Sequence, residues 1–439
     1  MRKKLLNFFW LFVTIFIFSY LIYRSEFIWD GERRSYYFNY IIISLFLILF
    51  SITVFFLNNK TRQYINIILL SSIFSVYLFE CYFFVKKNYL NKSSIGIKAK
   101  IFKEKTGESY DIRSKLEIYE DLKTNNNNLS VTVGPQQFNL IEKKYFLLSG
   151  VSKSKTINCN ENGYYSIYES DRYGFNNPDL EWENNPDILI IGDSFSFGAC
   201  VHNKDSIAFL LRENTKKSLI NLSYPGLGPL TQYVSLREYF PKKTNKIIWF
   251  FYEGNDLLDL KRELKNKILM SYLNDKNFSQ NLKIKQILFN DLYKKKMQEE
   301  LDEIKNRKNI KKKYDLFKTI LDIVKLNNFR TFFIKDELPL NKFVEIVKKV
   351  KLFSIKNKSE LYFVYLPEYR RFKNSYDNTN YEFIKKKINE FGINFIDINK
   401  NVFEDEKNPL SLFPFEKNGH YNVIGYNKVF EEIYRLIKK

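Results

Sequence analysis

Three long apolar runs open the chain: Leu5 to Tyr23, Tyr36 to Leu57 and Tyr64 to Val85, separated by short polar segments. As a helix rising 1.5 Å per residue, a run of nineteen residues covers about 28 Å, close to the roughly 30 Å hydrocarbon core of a bilayer. The pattern therefore predicts three transmembrane helices within residues 1–85. A cleaved signal peptide explains one such run but not three in succession, and buried helices of a soluble domain are the other reading. Glu80 falls in the last two turns of the third run, where its carboxylate can reach the interface, and reads as tolerated.

Past Val85 the pattern changes twice. Residues 86–185 are polar, lysine-rich and loop-rich, with the run Asn125 to Asn128 and then Gly134-Pro135. They read as a linker with a small irregular layer. From 186 to 439 apolar strand candidates at 187–192, 218–223, 245–252, 360–366 and 393–398 alternate with helical stretches, the signature of helical crossovers on a parallel sheet. A closing helix over 422–438 keeps Val423, Ile424, Val429, Phe430 and Ile433 largely to one side. A long insertion at about 257–358 separates the third and fourth strands. In it Met297, Leu301 and Ile304 recur at helical spacing, as do Phe317, Ile320, Leu321 and Val324. Lys294 to Lys296 and Lys311 to Lys313 are charged. The insertion reads as a cap over the site, a docking surface for an anionic partner, or a helical excursion on the sheet edge.

Charge refines the picture in two ways. The net charge of +21 over 439 residues points in general to nucleic acid or an acidic membrane surface. Here the lysine excess accompanies an abundance of Asn, Ile, Tyr and Phe, as AT-rich codon usage produces. No compact basic motif with interleaved stacking aromatics stands out, so no nucleic-acid partner is expected. The expected contact is the lipid bilayer itself. The short flanks carry Arg2, Lys3, Lys4, Lys60 and Arg62 on one side of the membrane against Arg24, Arg33 and Arg34 on the other. That bias favours a cytoplasmic N-terminus and an extracytoplasmic remainder. The lysines just after Val85 argue the other way, although long translocated domains are largely exempt from the rule. Cys159 and Cys200 can pair in an oxidising compartment, pinning the segment near Cys159 beside the site, or stand as unrelated thiols.

Candidate chemistry starts at residues 187–198, DILIIGDSFSFG. A buried strand stops at Gly192-Asp193-Ser194, and the glycine lets the backbone turn sharply and present the Ser194 hydroxyl. A serine is a poor nucleophile unless a base takes its proton, and the chain has two histidines, His202 and His420. His202 shares the serine's own loop and has no second element to orient it. His420 lies in NGHYNVIGY, between an Asn-Gly turn and the closing helix, where its ring can be held over a neighbouring strand end. Donors for an oxyanion come from the Ser194 N–H, from Gly226 in the turn after strand 218–223, and from the Asn255 carboxamide after strand 245–252. All three sit at the carboxyl ends of strands, where open α/β sheets bind ligands.

The set Gly192 to Ser194, Gly226, Asn255 and His420 resembles, in order and context, the SGNH/GDSL hydrolase superfamily, and the preceding spans resemble its membrane-anchored bacterial branch. The resemblance covers roughly residues 170–438. It implies a three-layer flavodoxin-like fold on a parallel sheet after three transmembrane helices, anchored in the bacterial inner (cell) membrane. It further implies Ser194 as nucleophile, His420 as base, an oxyanion hole of Ser194, Gly226 and Asn255, and no cofactor or metal. The implied activity is a serine esterase acting through an acyl-serine on O-acyl, foremost O-acetyl, esters of cell-envelope glycans or another small ester. A glycan O-acyltransferase supplied by a separate membrane acyl-donor partner is one alternative. A catalytically weakened scaffold in polysaccharide assembly is another. One departure motivates the last: the aspartate that the family keeps two or three residues before the histidine is replaced by Asn418 and Lys417, leaving Asn418, Glu416 or a backbone carbonyl to orient the ring.

Overall fold

The computed structural model describes residues 2–28, 30–31, 34–92, 94–124, 128–135, 145–329, 337–373 and 375–438. Arg33 and residues 125–127 of the asparagine run lie outside the described residues. The chain divides into two compact units, residues 1–91 with 313–335, and residues 92–312 with 336–439.

The first unit contains three helices long and apolar enough to cross a membrane, Leu6–Ile28, Tyr36–Val54 and Asn59–Lys86. Their large side chains, such as Phe12, Phe46 and Phe74, are mostly uncovered. Residues 319–329, at the distal end of the insertion, belong to this same unit. Amphipathic spacing over 317–324 marks a helix, but periodicity does not say which apolar surface the helix meets.

The second unit is built on five parallel strands: β4 (Ile188–Ile191), β5 (Leu219–Asn221), β6 (Lys246–Tyr252), β7 (Glu360–Leu366) and β8 (Asn394–Asp397), ordered β5-β4-β6-β7-β8. In order of appearance this is 2-1-3-4-5, the flavodoxin-like arrangement. Each strand matches one of the apolar runs seen in the sequence. All four residues of β4 are buried, because successive side chains alternate between two covered faces. Leu189, Ile191, Ile247, Trp249 and Phe363 pack on one side with helices Pro229–Tyr239, Leu340–Lys356 and Thr379–Glu390. Ile188, Ile190, Ile248, Phe250 and Val364 pack on the other with helices Ile207–Thr215 and Val423–Ile437. The result is a three-layer α/β domain.

Within the segment expected as a linker with a small irregular layer, described residues form a second, three-stranded sheet of this unit. Its strands β1 (Leu129–Val131), β2 (Lys155–Ile157) and β3 (Ile167–Glu169) run parallel between β1 and β2 and antiparallel between β2 and β3. Val131, Phe146, Ile157 and Phe175 join the same core as Leu189 and Trp249. Short strands separated by long loops give little period-2 signal, so the sequence pattern does not reveal them. One residue of this layer reaches the candidate site.

Candidate active site

Ser194 opens a four-residue helix, Ser194–Phe197, directly after β4. Asp193 caps it by accepting from the Phe195 N–H at 2.9 Å. A Cβ on Gly192 would sit 2.2 Å from Ser196 Oγ, so only glycine permits this tight strand-to-helix turn. Ser196 Oγ in turn pairs with Ser223 Oγ at 2.7 Å, and the Asn221 side chain donates to the Ser196 carbonyl at 2.9 Å. These bonds tie the serine turn to the end of β5.

His420 reaches the serine from the far end of the chain. Its Nε2 lies 2.8 Å from Ser194 Oγ. The ring is seated by Phe195, whose centroid is 4.7 Å away and which itself stacks on Tyr252 at 3.8 Å. On the C-terminal side, Tyr421 donates to the Pro367 carbonyl at 2.7 Å and Asn422 caps the closing helix through the Gly425 N–H. The histidine thus stands between fixed points.

The carboxylate beside the ring comes from neither expected position. Asn418 and Glu416 are exposed, and Glu416 accepts from Asn408 instead. Residues 414–416 form a separate 3-10 turn before the Asn-Gly turn, which leads the Glu416 side chain away. Glu161 takes the place: its Oε2 lies 3.2 Å from His420 Nδ1 and accepts the His420 backbone N–H at 2.6 Å. A Cβ on Gly419 would come within 2.6 Å of that same oxygen, so the glycine of the Asn-Gly turn opens the space the carboxylate uses. Glu161 lies on the loop that leads into β3, and that loop is locked to the serine side. Cys159 is bridged to Cys200, and the Asn162 side chain donates to the Cys200 carbonyl at 2.9 Å. A carboxylate two residues from a cysteine that can pair beside the site was the available sequence signal.

The charges reinforce this arrangement. Burial works against a charged His420 ring, yet the Glu161 charge, its hydrogen bond and then the Asp193 charge more than offset it, so the histidine sits above its ordinary value. Burial likewise opposes the Glu161 charge, but His420 and Lys98 outweigh it and hold the carboxyl below its usual range. Asp193 is pushed up to about 6, chiefly by burial. Among the described residues, Glu161, Cys200 and His420 form the one grouping that brings three metal-ligating atoms within 4.8 Å. The Cys200 sulfur is bonded to Cys159 and both ring nitrogens are engaged, so this set does not present three ligands.

Gly226 and Asn255 follow β5 and β6, the two neighbours of β4, at the switch point of the sheet. Gly226 has φ +88° in a turn closed by the Leu227 N–H to the Tyr224 carbonyl at 3.2 Å. Asn255 precedes helix Asp256–Glu263, and its Nδ2 donates to Asp259 Oδ2 at 2.7 Å. A carboxamide carries two N–H groups, so one remains for a substrate oxygen. The same helix joins the two loops: buried Glu263 accepts the N–H groups of Gly228 and Leu230 at 2.8 and 3.0 Å. Burial foremost raises Glu263 to about 7. His202 is exposed and stacks flat on Tyr164 with centroids 4.0 Å apart.

No family model and no curated protein matches this chain. Among solved structures, it is similar to a "putative lipolytic protein of G-D-S-L family" from Desulfitobacterium hafniense DCB-2, with 16% identity and a TM-score of 0.33. That similarity covers 57% of this chain and 98% of the other.

Proposed function

We propose that this protein is a membrane-anchored serine esterase, with Ser194 as nucleophile, His420 as general base and Glu161 as the residue that orients the base. The observation that carries the reading is a single histidine ring held between Ser194 Oγ at 2.8 Å and a carboxylate oxygen at 3.2 Å. The Ser194 proton passes to His420 Nε2 while Oγ bonds to the ester carbonyl carbon. The oxyanion that forms is met by the N–H groups of Ser194 and Gly226 and the Asn255 carboxamide. The intermediate collapses by releasing the alcohol, which takes the proton from His420 and leaves an acyl-serine. Water attacks that ester with His420 again accepting the proton, and Ser194 departs with the proton returned to it. Glu161 stabilises the imidazolium at each proton transfer without itself becoming protonated.

Glu161 supplies the carboxylate whose loss from positions 417 and 418 favours a scaffold, which is why an enzyme is preferred. The substrate class, O-acetyl esters of cell-envelope glycans, rests on the family resemblance. Placement of the catalytic unit outside the cytoplasm is supported by the charge bias around the apolar helices and by the Cys159–Cys200 bridge, which persists in an oxidising compartment. The test is turnover of a small acetyl ester by the purified full chain, with and without sugar acceptors. Acetate release independent of acceptor supports the esterase. Acetylated acceptor as the main product would replace it with a transferase, and no turnover by folded protein would remove the enzyme reading.

A further inference from the structure

Within the apolar unit one side chain is out of character. Around it on the third apolar helix, Leu78, Phe79 and Tyr82 are about half exposed, while Glu80 is 0% exposed. A carboxylate in a span is costly unless donors surround it. Its donors come from the insertion. Oε1 accepts from the Asn328 backbone N–H at 3.1 Å and from its side chain at 2.9 Å, and Oε2 accepts the Phe329 N–H at 2.7 Å.

The benefit is mutual. Residues 327–329 are helical after a reversal at Leu326, φ +52°, and first-turn N–H groups have no partner within their own helix. Glu80 takes the place that water fills at an exposed tip. One turn earlier, the Tyr77 hydroxyl donates to the Val324 carbonyl at 3.3 Å, and Phe79 meets Phe329 edge-on at 6.5 Å. Asp322 is satisfied internally by the Asn327 side chain at 2.7 Å.

Depth follows from the helix rise. The apolar span of this helix runs to Lys86, so Glu80 and Tyr77 lie about 9 and 14 Å before the end of the span at 1.5 Å per residue. The tip therefore docks alongside apolar surface rather than past it. Ile320 and Val324, one turn apart, are 49% and 56% exposed, and the Val324 carbonyl is the one that meets Tyr77 of the third helix.

We propose that residues 319–329 are a lipid-facing segment seated on the third apolar helix, with Glu80 as its receptor. The insertion is then a second membrane attachment, and the partner of Ile320 and Val324 is the acyl region of the bilayer. The test uses the full chain in nanodiscs with Cys81, the one free cysteine among the described residues, changed to serine. A bimane label is placed on Ile320→Cys or Val324→Cys, and on Lys417→Cys as an exposed reference. In brominated phosphatidylcholine the tip labels should lose at least about half their emission relative to plain lipid, as an interfacial segment buried 5–10 Å would, while the reference is unchanged. Tip labels that behave like the reference overturn the proposal. Adding Glu80→Ala should return the Val324 label towards the reference value, and Glu80→Gln, which can still accept, should retain most of the quenching. Quenching unchanged by Glu80→Ala overturns the receptor role. The label arm alters no residue of the Glu80 contact, so it decides the lipid-facing claim whether or not Glu80→Ala folds.

Discussion

Exchanging Glu161 for glutamine removes one charge from the site and leaves nearly everything else in place. The amide oxygen can still accept the His420 backbone N–H that Glu161 holds at 2.6 Å, so the loop stays anchored. What is lost is the attraction to an imidazolium forming 3.2 Å away. With an effective dielectric near 20, that attraction is about 332/(20 × 3.2), or roughly 5 kcal/mol. At about 1.4 kcal/mol per decade it corresponds to between 10³- and 10⁴-fold in rate. The two side chains are 22% and 24% exposed, so some screening applies, and a fall in kcat/KM of about 10³-fold is expected on a small acetyl ester. The pH profile provides an independent sign. The neutral ring is the base, and Glu161 holds the ring above its ordinary value, so the wild-type rate should fall as pH drops through a point above about 6.5. In Glu161→Gln that acid limb should move to lower pH. A loss smaller than about tenfold, or an acid limb that stays put, would refute the role given to Glu161.

Three further outcomes follow from the same geometry. Opening the Cys159–Cys200 bridge by Cys159→Ser releases a loop closed over 41 residues, worth about 4 kcal/mol in the chain-entropy account; denaturant melts should show that loss, and ester turnover should drop because Glu161 lies two residues away. His202→Ala should leave turnover within about twofold of wild type while His420→Ala abolishes it, since His202 contacts Tyr164 and not the serine; equal losses would mean the wrong base was chosen. Gly192→Ala places a methyl group 2.2 Å from Ser196 Oγ and 3.0 Å from Phe250 Cβ, which should cost about 1–3 kcal/mol in a denaturant melt; an unchanged midpoint would show that the turn relaxes freely.

The parts of this molecule that could be read from sequence are those whose neighbours are dictated by burial. Strands such as Ile188–Ile191 and Lys246–Tyr252 are covered on both faces, so continuous apolar runs announce them and the parallel α/β order follows. Ser194 and His420 could be picked out as candidates because each stands at a turn that breaks such a run. Glu161 was not, because it lies 259 residues from His420 in a loop with no periodicity, held there by a disulfide and by the space that Gly419 leaves. The partners of Glu80 were hidden for a related reason: Asn328 and Phe329 are 248 and 249 residues away, and a single run of sequence shows only that a charge sits in an apolar helix.

The central claim is that His420 and Glu161 make Ser194 a nucleophile. Its most direct test is labelling of the intact, membrane-embedded protein with a serine-directed fluorophosphonate. Labelling should be stoichiometric, vanish in Ser194→Ala and slow markedly in His420→Ala and Glu161→Gln. Folded wild-type protein that stays unlabelled, or labelling that survives Ser194→Ala, would contradict it.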